Sequence, residues 1–285
     1  METMTKETEE QTPRDVNESA SRGIGEPTSR EVNEQTLTGK TDEWPASAHA
    51  RVAERRAAAH KLSRAELSYI IALAVFSVLA LFAHAYAYFA WDLEITRSLQ
   101  SLPVAGLLTF MRAVSFFGDT WHGWLLAAFA FVAFLARRRR TEAFALCVSV
   151  AGGELINRVV KWLVGRPRPT LALVHVSGDW ARESFPSGHV TFYVCFFGFL
   201  FFVAYALLRR GTLARRITLA LAALPVLLIG CSRVYLGAHW ASDVLGAYLL
   251  SGIWLAFTLH LYRRWKARST FHKEELKEND AAMRA

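Results

Sequence analysis

An all-α, polytopic membrane protein is the predicted fold class: six transmembrane helices, with interfacial helices between spans one and two. Three observations predict it. Hydrophobic residues make up 53% of the 285-residue chain and crowd into the part beyond residue 60. There they form six windows, most of them long enough to cross a hydrocarbon core of about 30 Å. Clusters of Arg and Lys recur at alternate gaps between the windows, the pattern that membrane topology produces.

Residues 1–60 are rich in Glu, Thr, Ser, Asn and Arg and poor in large apolar side chains. Such a stretch buries too little surface to offset its chain entropy, so it reads as a disordered polar tail. It lacks the basic, apolar, then small-residue pattern of a cleaved signal peptide. The membrane domain is expected over 61–265, opening with a span at 67–90. Residues 92–118 mix Leu, Ile and Phe with Arg97, Arg112 and Pro103, which suits one or two helices lying at the interface. A short second span is predicted at 121–136, a third at 142–164 and a fourth at 190–208. The fifth, 217–235, contains Pro225, which a membrane helix tolerates with a kink. The sixth covers 240–262, and 266–285 reads as a charged cytoplasmic tail.

The flanking cations set the orientation. Arg51, Arg55, Arg56, Lys61 and Arg64 precede the first span, and Arg137 to Arg140 separate the second from the third. Arg209, Arg210, Arg215 and Arg216 separate the fourth from the fifth, and Arg263, Arg264, Lys266 and Arg268 follow the sixth. All fall on one side of a six-span arrangement, so that side is predicted to be cytoplasmic, with both termini inside. The net charge of +8 is thereby assigned to topology, and no nucleic-acid partner is expected. Cys147, Cys195 and Cys231 sit in apolar segments without zinc-ligand spacing, which points to neither disulfides nor a cysteine-held metal. No pattern in the chain specifies an oligomeric state.

Three polar clusters interrupt the apolar C-terminal half, and all three map to the opposite, extracytoplasmic face. Lys161 and Arg168 bring positive charge from a helix end and the loop beyond it; a guanidinium can hold two phosphate oxygens at once. Ser187, Gly188 and His189 stand where span four begins. Ser187 suits the cap position, Gly188 lets a ligand approach the backbone, and a helix start offers unpaired N–H groups to an anion. His239 and Asp243, four residues apart, are expected on one helical face, with the carboxylate fixing the imidazole tautomer so that the other nitrogen can attack. Arg233 adds a third cation. Taken singly, each group could be an interfacial side chain. Together on one membrane face they describe a phosphate site.

These residues resemble the signature of the type 2 phosphatidic acid phosphatase superfamily, also called lipid phosphate phosphatases, in its bacterial membrane branch. That signature is Lys-x6-Arg-Pro, Pro-Ser-Gly-His and Ser-Arg-x5-His-x3-Asp. The chain carries Lys161 with Arg168-Pro169, Pro186-Ser187-Gly188-His189, and Ser232-Arg233 with His239 and Asp243. Gly118-Asp119 also looks like a recurrent feature of the family. The resemblance implies a hydrolase in the cell membrane acting on lipid phosphates through a phosphohistidine. His239 would attack phosphorus, Asp243 orient it, and His189 protonate the leaving oxygen and later help activate water. Lys161, Arg168, Ser187, the Gly188 amide and Arg233 would bind the phosphoryl oxygens. Neither metal nor cofactor is then expected, because three cations can do work often given to Mg²⁺.

An isoprenoid diphosphate such as undecaprenyl diphosphate is the favoured substrate, with phosphatidic acid or phosphatidylglycerol phosphate as alternatives. Phosphotransfer to a lipid or sugar hydroxyl shares the first half-reaction, and a non-catalytic lipid-binding protein or transporter could use the same cations. His84, His122, His175 and His260 match no signature position. Trp91, Trp121, Trp124, Trp240 and Trp265 read as interfacial anchors. Trp180, Arg182 and Phe185 lie in the loop before the second cluster, where they could touch substrate.

Overall fold

A computed structural model of the chain describes residues 46–178 and 183–284, with side chains over 66–119, 121–178 and 183–268. Trp180 and Arg182, and residues 1–45 of the expected tail, lie outside the described residues.

Helix α1 runs from Ala46 to Ala85. Residues 46–60 are therefore helical: the Ala, Arg and Glu that dominate this stretch are strong helix formers. Its apolar portion, Glu66–Ala85, is long enough to cross a bilayer. The chain then breaks, instead of continuing to residue 90, because Asp92 starts a new helix. The Asp92 carboxylate accepts the Phe89 backbone N–H at 3.1 Å and caps α2, Ala90–Gln100. Helix α3, Leu107–Ser115, and a 3₁₀ turn, Phe116–Gly118, follow.

The short second span is α4, Thr120–Ala136. It meets the preceding Leu107–Gly118 segment at a bend of 55°, and the pair together is long enough for one broken crossing. Helix α5 covers Arg140–Val164. The fourth span comprises α6, Gly188–Tyr193, a π-helical turn, Val194–Gly198, and α7, Phe199–Leu207. The π turn disturbs the regular hydrogen-bond ladder, and the Ser149 hydroxyl donates to the Cys195 carbonyl there at 2.8 Å. Helix α8 is Leu213–Tyr235 with Pro225 inside it, and α9 extends from Ala241 to Arg284. The predicted tail beyond residue 266 is thus helical through Arg284.

Five of these helices are long and apolar enough to cross a membrane, or six counting the bent pair. Many of their large apolar side chains face outward, including Ile70, Leu81, Phe129 and Leu227. Water would not tolerate so much exposed apolar surface on a monomer, whereas lipid does. The chain is a multi-pass membrane protein. Its interior is built from aromatic and aliphatic side chains of α5, α6, the π turn, α7, α8 and α9, with Phe192, Tyr193, Phe196, Phe199 and Ile229 buried. One end is tied by Glu142 of α5, which accepts bonds from Lys266 at 2.7 Å and Tyr262 at 3.2 Å. The other end gathers the C-terminus of α5, the start of α6, the C-terminus of α8 and the start of α9, and there the polar clusters meet.

Candidate active site

The loop after α5 folds back on itself. Arg166 and Pro167 lie beside Glu183 and Ser184, with the Ser184 N–H donating to the Arg166 carbonyl at 2.7 Å and a bridge between Pro167 and Glu183. This pairing aims the cations. Lys161 donates to the Glu183 and Ser184 carbonyls at 3.1 and 3.3 Å. Arg168 donates to the Glu183 carbonyl at 3.2 Å and to the Ala238 carbonyl at 2.8 Å.

Lys161, Arg168, Gly188, His189, Arg233 and His239 all line one cavity of about 270 Å³. That is below the roughly 300–1,000 Å³ of ordinary ligand sites, a size for a head group rather than a whole lipid. The remaining sequence-predicted residues, Ser187 and Asp243, stand behind this wall and are fully buried.

His239 sits in the turn before α9, not on the helix with Asp243, so helical spacing is not what pairs them. Asp243 is in the first turn of α9, and its Oδ2 accepts the Trp240 backbone N–H at 2.8 Å, half of a capping box. This capping folds the turn so that Nδ1 of His239 lies 3.7 Å from the same oxygen. The Ser184 hydroxyl donates to Asp243 Oδ2 at 2.5 Å and stands 3.5 Å from His239 Nδ1. The other ring nitrogen, Nε2, lies 3.5 Å from Arg168 Nη1. Burial first, and then the charges of Arg168, Lys161 and Arg233, hold the imidazole well below its ordinary value of 6.5. The ring is neutral at pH 7.

Ser187 occupies the N-cap position of α6, but its side chain makes no capping bond. The capping expectation is corrected in that respect: the Ser187 hydroxyl is buried with no hydrogen-bond partner among the described residues, which suits it to an anion oxygen. Its backbone is held by its N–H donating to the Asp243 carbonyl at 3.2 Å. A Cβ at Gly188 would meet only Asn157 Oδ1 at 3.7 Å, so the protein itself leaves room for a larger residue there. Asn157 in turn donates to Thr191 Oγ1 at 2.9 Å and braces the start of α6.

His189 Nε2 lies 3.2 Å from Asp119 Oδ1. The hydrogen bond from His189 is the main reason the Asp119 carboxyl is held below the usual carboxylate range. Gly118 makes this pairing possible, since a Cβ on it would lie 2.2 Å from the His189 ring. Arg233 is buried and donates to Ser115 Oγ at 3.1 Å. Ser115 also pairs with the Ser232 hydroxyl at 2.7 Å, joining α3 to α8.

Two lining residues, Glu154 and Arg158, have no role assigned from the sequence. Glu154, Arg158 and Trp124 line the cavity beside Lys161, so Trp124 faces the site rather than anchoring the surface alone. The i, i+4, i+7 spacing of Glu154, Arg158 and Lys161 on α5 was the available signal. Trp240 is 1% exposed and packs on Tyr88 with ring centroids 5.3 Å apart, which corrects its reading as an interfacial anchor. Phe185 does not face the cavity; it is buried against Phe76 of α1. Among the described residues no three His, Cys, Asp or Glu side chains form a metal-binding group.

Residues 142–267 match the PAP2 superfamily. The chain is 36% identical over 121 residues to phosphatidylglycerophosphatase B of Bacillus subtilis, spanning 42% of this chain and 57% of that protein. It is 33% identical over 171 residues to lipid A 1-phosphatase of Rhizobium etli, covering 52% and 68% of the two chains. With decaprenylphosphoryl-5-phosphoribose phosphatase of Mycobacterium tuberculosis it shares 34% identity over 143 residues, 49% of this chain and 71% of the relative. The fold is similar to a crystal structure of a transmembrane PAP2 type phosphatidylglycerolphosphate phosphatase from Bacillus subtilis. The TM-score is 0.59 at 22% identity, over 69% of this chain and 96% of that one.

Proposed function

The chain belongs to the PAP2 superfamily, and from that premise we propose that it is a membrane phosphatase hydrolysing lipid phosphate or diphosphate esters through a phosphohistidine on His239. The observation that carries this reading is the placement of His239 Nε2, 3.5 Å from Arg168 in a cavity that Lys161, Arg233 and His189 also line. The Nε2 lone pair attacks the terminal phosphorus as its bond to the leaving oxygen breaks, the ester oxygen of a lipid monophosphate or the bridging oxygen of a diphosphate, and His189 delivers a proton to that oxygen. The phosphorylated ring keeps its Nδ1 proton and gains positive charge, which Asp243 compensates. Water, deprotonated by His189, then displaces the histidine and releases phosphate. Lys161, Arg168, Arg233, the Ser187 hydroxyl and the Gly188 amide hold the phosphoryl oxygens throughout. Fixed charge of this kind is the larger part of such catalysis, and the reaction needs no metal.

The site stands at the end of the bundle opposite Arg137–Arg140 and Arg209, Arg210, Arg215 and Arg216. Positive-inside bias therefore supports an extracytoplasmic site with both termini cytoplasmic. An outward-facing site suits undecaprenyl diphosphate, whose tail stays in the bilayer. A second reading, phosphatidylglycerol phosphate, is favoured by the name of the Bacillus subtilis relative. Purified protein given each lipid in turn separates them: the first reading expects fastest phosphate release from undecaprenyl diphosphate without an added acceptor. Strict dependence on an acceptor alcohol would instead indicate phosphotransfer.

A further inference from the structure

Arg166, two residues before Arg168, has no place in the signature and does not line the cavity, yet it is 1% exposed. Four of its five N–H groups are used. Nη1 donates to Asp243 Oδ1 and to Ser242 Oγ, both at 2.6 Å, and Nη2 donates to Asp92 Oδ2 at 3.0 Å. Nε donates to the Tyr86 carbonyl at 3.2 Å, and the Phe89 ring lies 4.7 Å from the guanidinium carbon. Asp92 is fully buried as well, and its carboxylate accepts the Ser242 N–H at 2.8 Å and the Ser242 hydroxyl at 2.7 Å.

A cluster of two carboxylates and one guanidinium is costly to bury, and one carboxylate without the guanidinium would be costlier still. Such a cluster can persist where it fixes a geometry. Here the geometry is that of Asp243. Its Oδ1 is taken by Arg166, which turns Oδ2 toward Ser184, the Trp240 N–H and the Nδ1 side of His239. Asp92 and Ser242 hold Arg166 from the far side. The cluster places the Asp243 carboxylate behind the ring that becomes cationic when phosphorylated.

We propose that Arg166 and Asp92 are positioning residues for the reaction: a buried Asp92–Arg166–Asp243 relay locks the carboxylate behind His239 and couples its orientation to helix α2. This rests on the reading of His239 as the attacking group. Neither residue touches the phosphate, so the relay acts on the rate of phosphoryl transfer and leaves substrate affinity alone.

The test uses purified full-length protein in detergent, comparing Asp92→Asn and Ser242→Ala with His239→Ala. Both relay variants keep Arg166 and Asp243 and each loosens one anchor; Ser242→Ala removes only a hydroxyl and preserves folding. Rates are normalised to folded protein by size-exclusion chromatography. Expected are a fall in kcat of about tenfold for Asp92→Asn and about threefold for Ser242→Ala, with KM within about twofold. Phosphoenzyme formation slows in parallel, and the double variant loses less than the product of the singles. Wild-type kcat per folded protein in both variants, or a loss confined to KM, overturns the proposal while inactive His239→Ala leaves the phosphohistidine reading standing. Turnover by His239→Ala would overturn that reading and this proposal with it.

Discussion

Nε2 of His239 and Nη1 of Arg168 lie 3.5 Å apart, a separation that suits only one protonation state of the ring. A neutral imidazole presents its Nε2 lone pair to the guanidinium, whereas an imidazolium would set two cations face to face in a buried site. In the proposed mechanism the nucleophile and the anion clamp thus support each other before substrate arrives, and phosphate neutralises the clamp as it meets the lone pair.

A pH dependence follows. Only neutral His239 attacks, and burial with the cations Arg168, Lys161 and Arg233 places its pKa well below 6.5. Activity lost through its protonation should consequently appear only at pH well under 6.5, as an acid limb in kcat/KM. Removing one of those cations raises the pKa, so Arg168→Gln moves the limb toward 6.5. The same variant loses kcat/KM by about 10²-fold or more, the scale of deleting one oxyanion donor. A pH–rate series on both proteins checks the direction; a limb that stays in place contradicts it.

His189 is assigned the leaving-group proton, so its removal should matter most where the leaving group is poor. His189→Ala is expected to slow hydrolysis of a lipid monophosphate, whose leaving group is an alcohol, by about 10²–10⁴-fold and to spare p-nitrophenyl phosphate by comparison. Asp119→Asn, which removes the partner 3.2 Å from His189, should show the same leaving-group dependence with a smaller loss. Equal losses on both substrates would remove His189 from the role of acid.

The two glycines beside the phosphate site should fail differently. Gly188→Ala adds a methyl that meets no protein atom closer than 3.7 Å. Its melting temperature should stay near wild type while kcat/KM falls, because the methyl intrudes on the phosphate. Gly118→Ala places its methyl 2.2 Å from the His189 ring and should displace that ring. It lowers both stability and leaving-group protonation. Thermal unfolding beside turnover distinguishes the pair.

Phosphate release should persist in excess EDTA, because Lys161, Arg168 and Arg233 supply the positive charge. Loss of activity in EDTA that added divalent metal restores would contradict this assignment of charge.

Much of the cavity lining was legible in the chain, because polar residues at these spacings stand out against apolar spans. Lys161, Arg168, His189, Arg233 and His239 announce themselves as polar groups beside apolar spans. The supporting layer is less visible. Asp92 and Arg166 are 74 residues apart, and each has an ordinary local reading: an acidic helix start and one more Arg in a basic loop. Only the fold, by bringing α2 against the start of α9, makes them a pair. The burial of Trp240 is hidden for a related reason, since a position near a span end does not reveal that Tyr88, in the connection between α1 and α2, will pack on it. The six-span pattern was readable from hydropathy, whereas the α3–α4 bend was not, because a bend changes direction without changing composition. The long helical extensions at 46–60 and beyond 266 are not visible in the polar composition, because polarity and helicity are independent properties.

The most direct measurement is rapid acid-free quenching of the enzyme with substrate carrying a labelled terminal phosphate, followed by mapping of the labelled peptide. The label should reside on His239 in an acid-labile, alkali-stable bond, appear and decay at rates that account for turnover, and be absent from His239→Ala. Turnover by His239→Ala at the wild-type rate, or label on any other residue, would contradict the account.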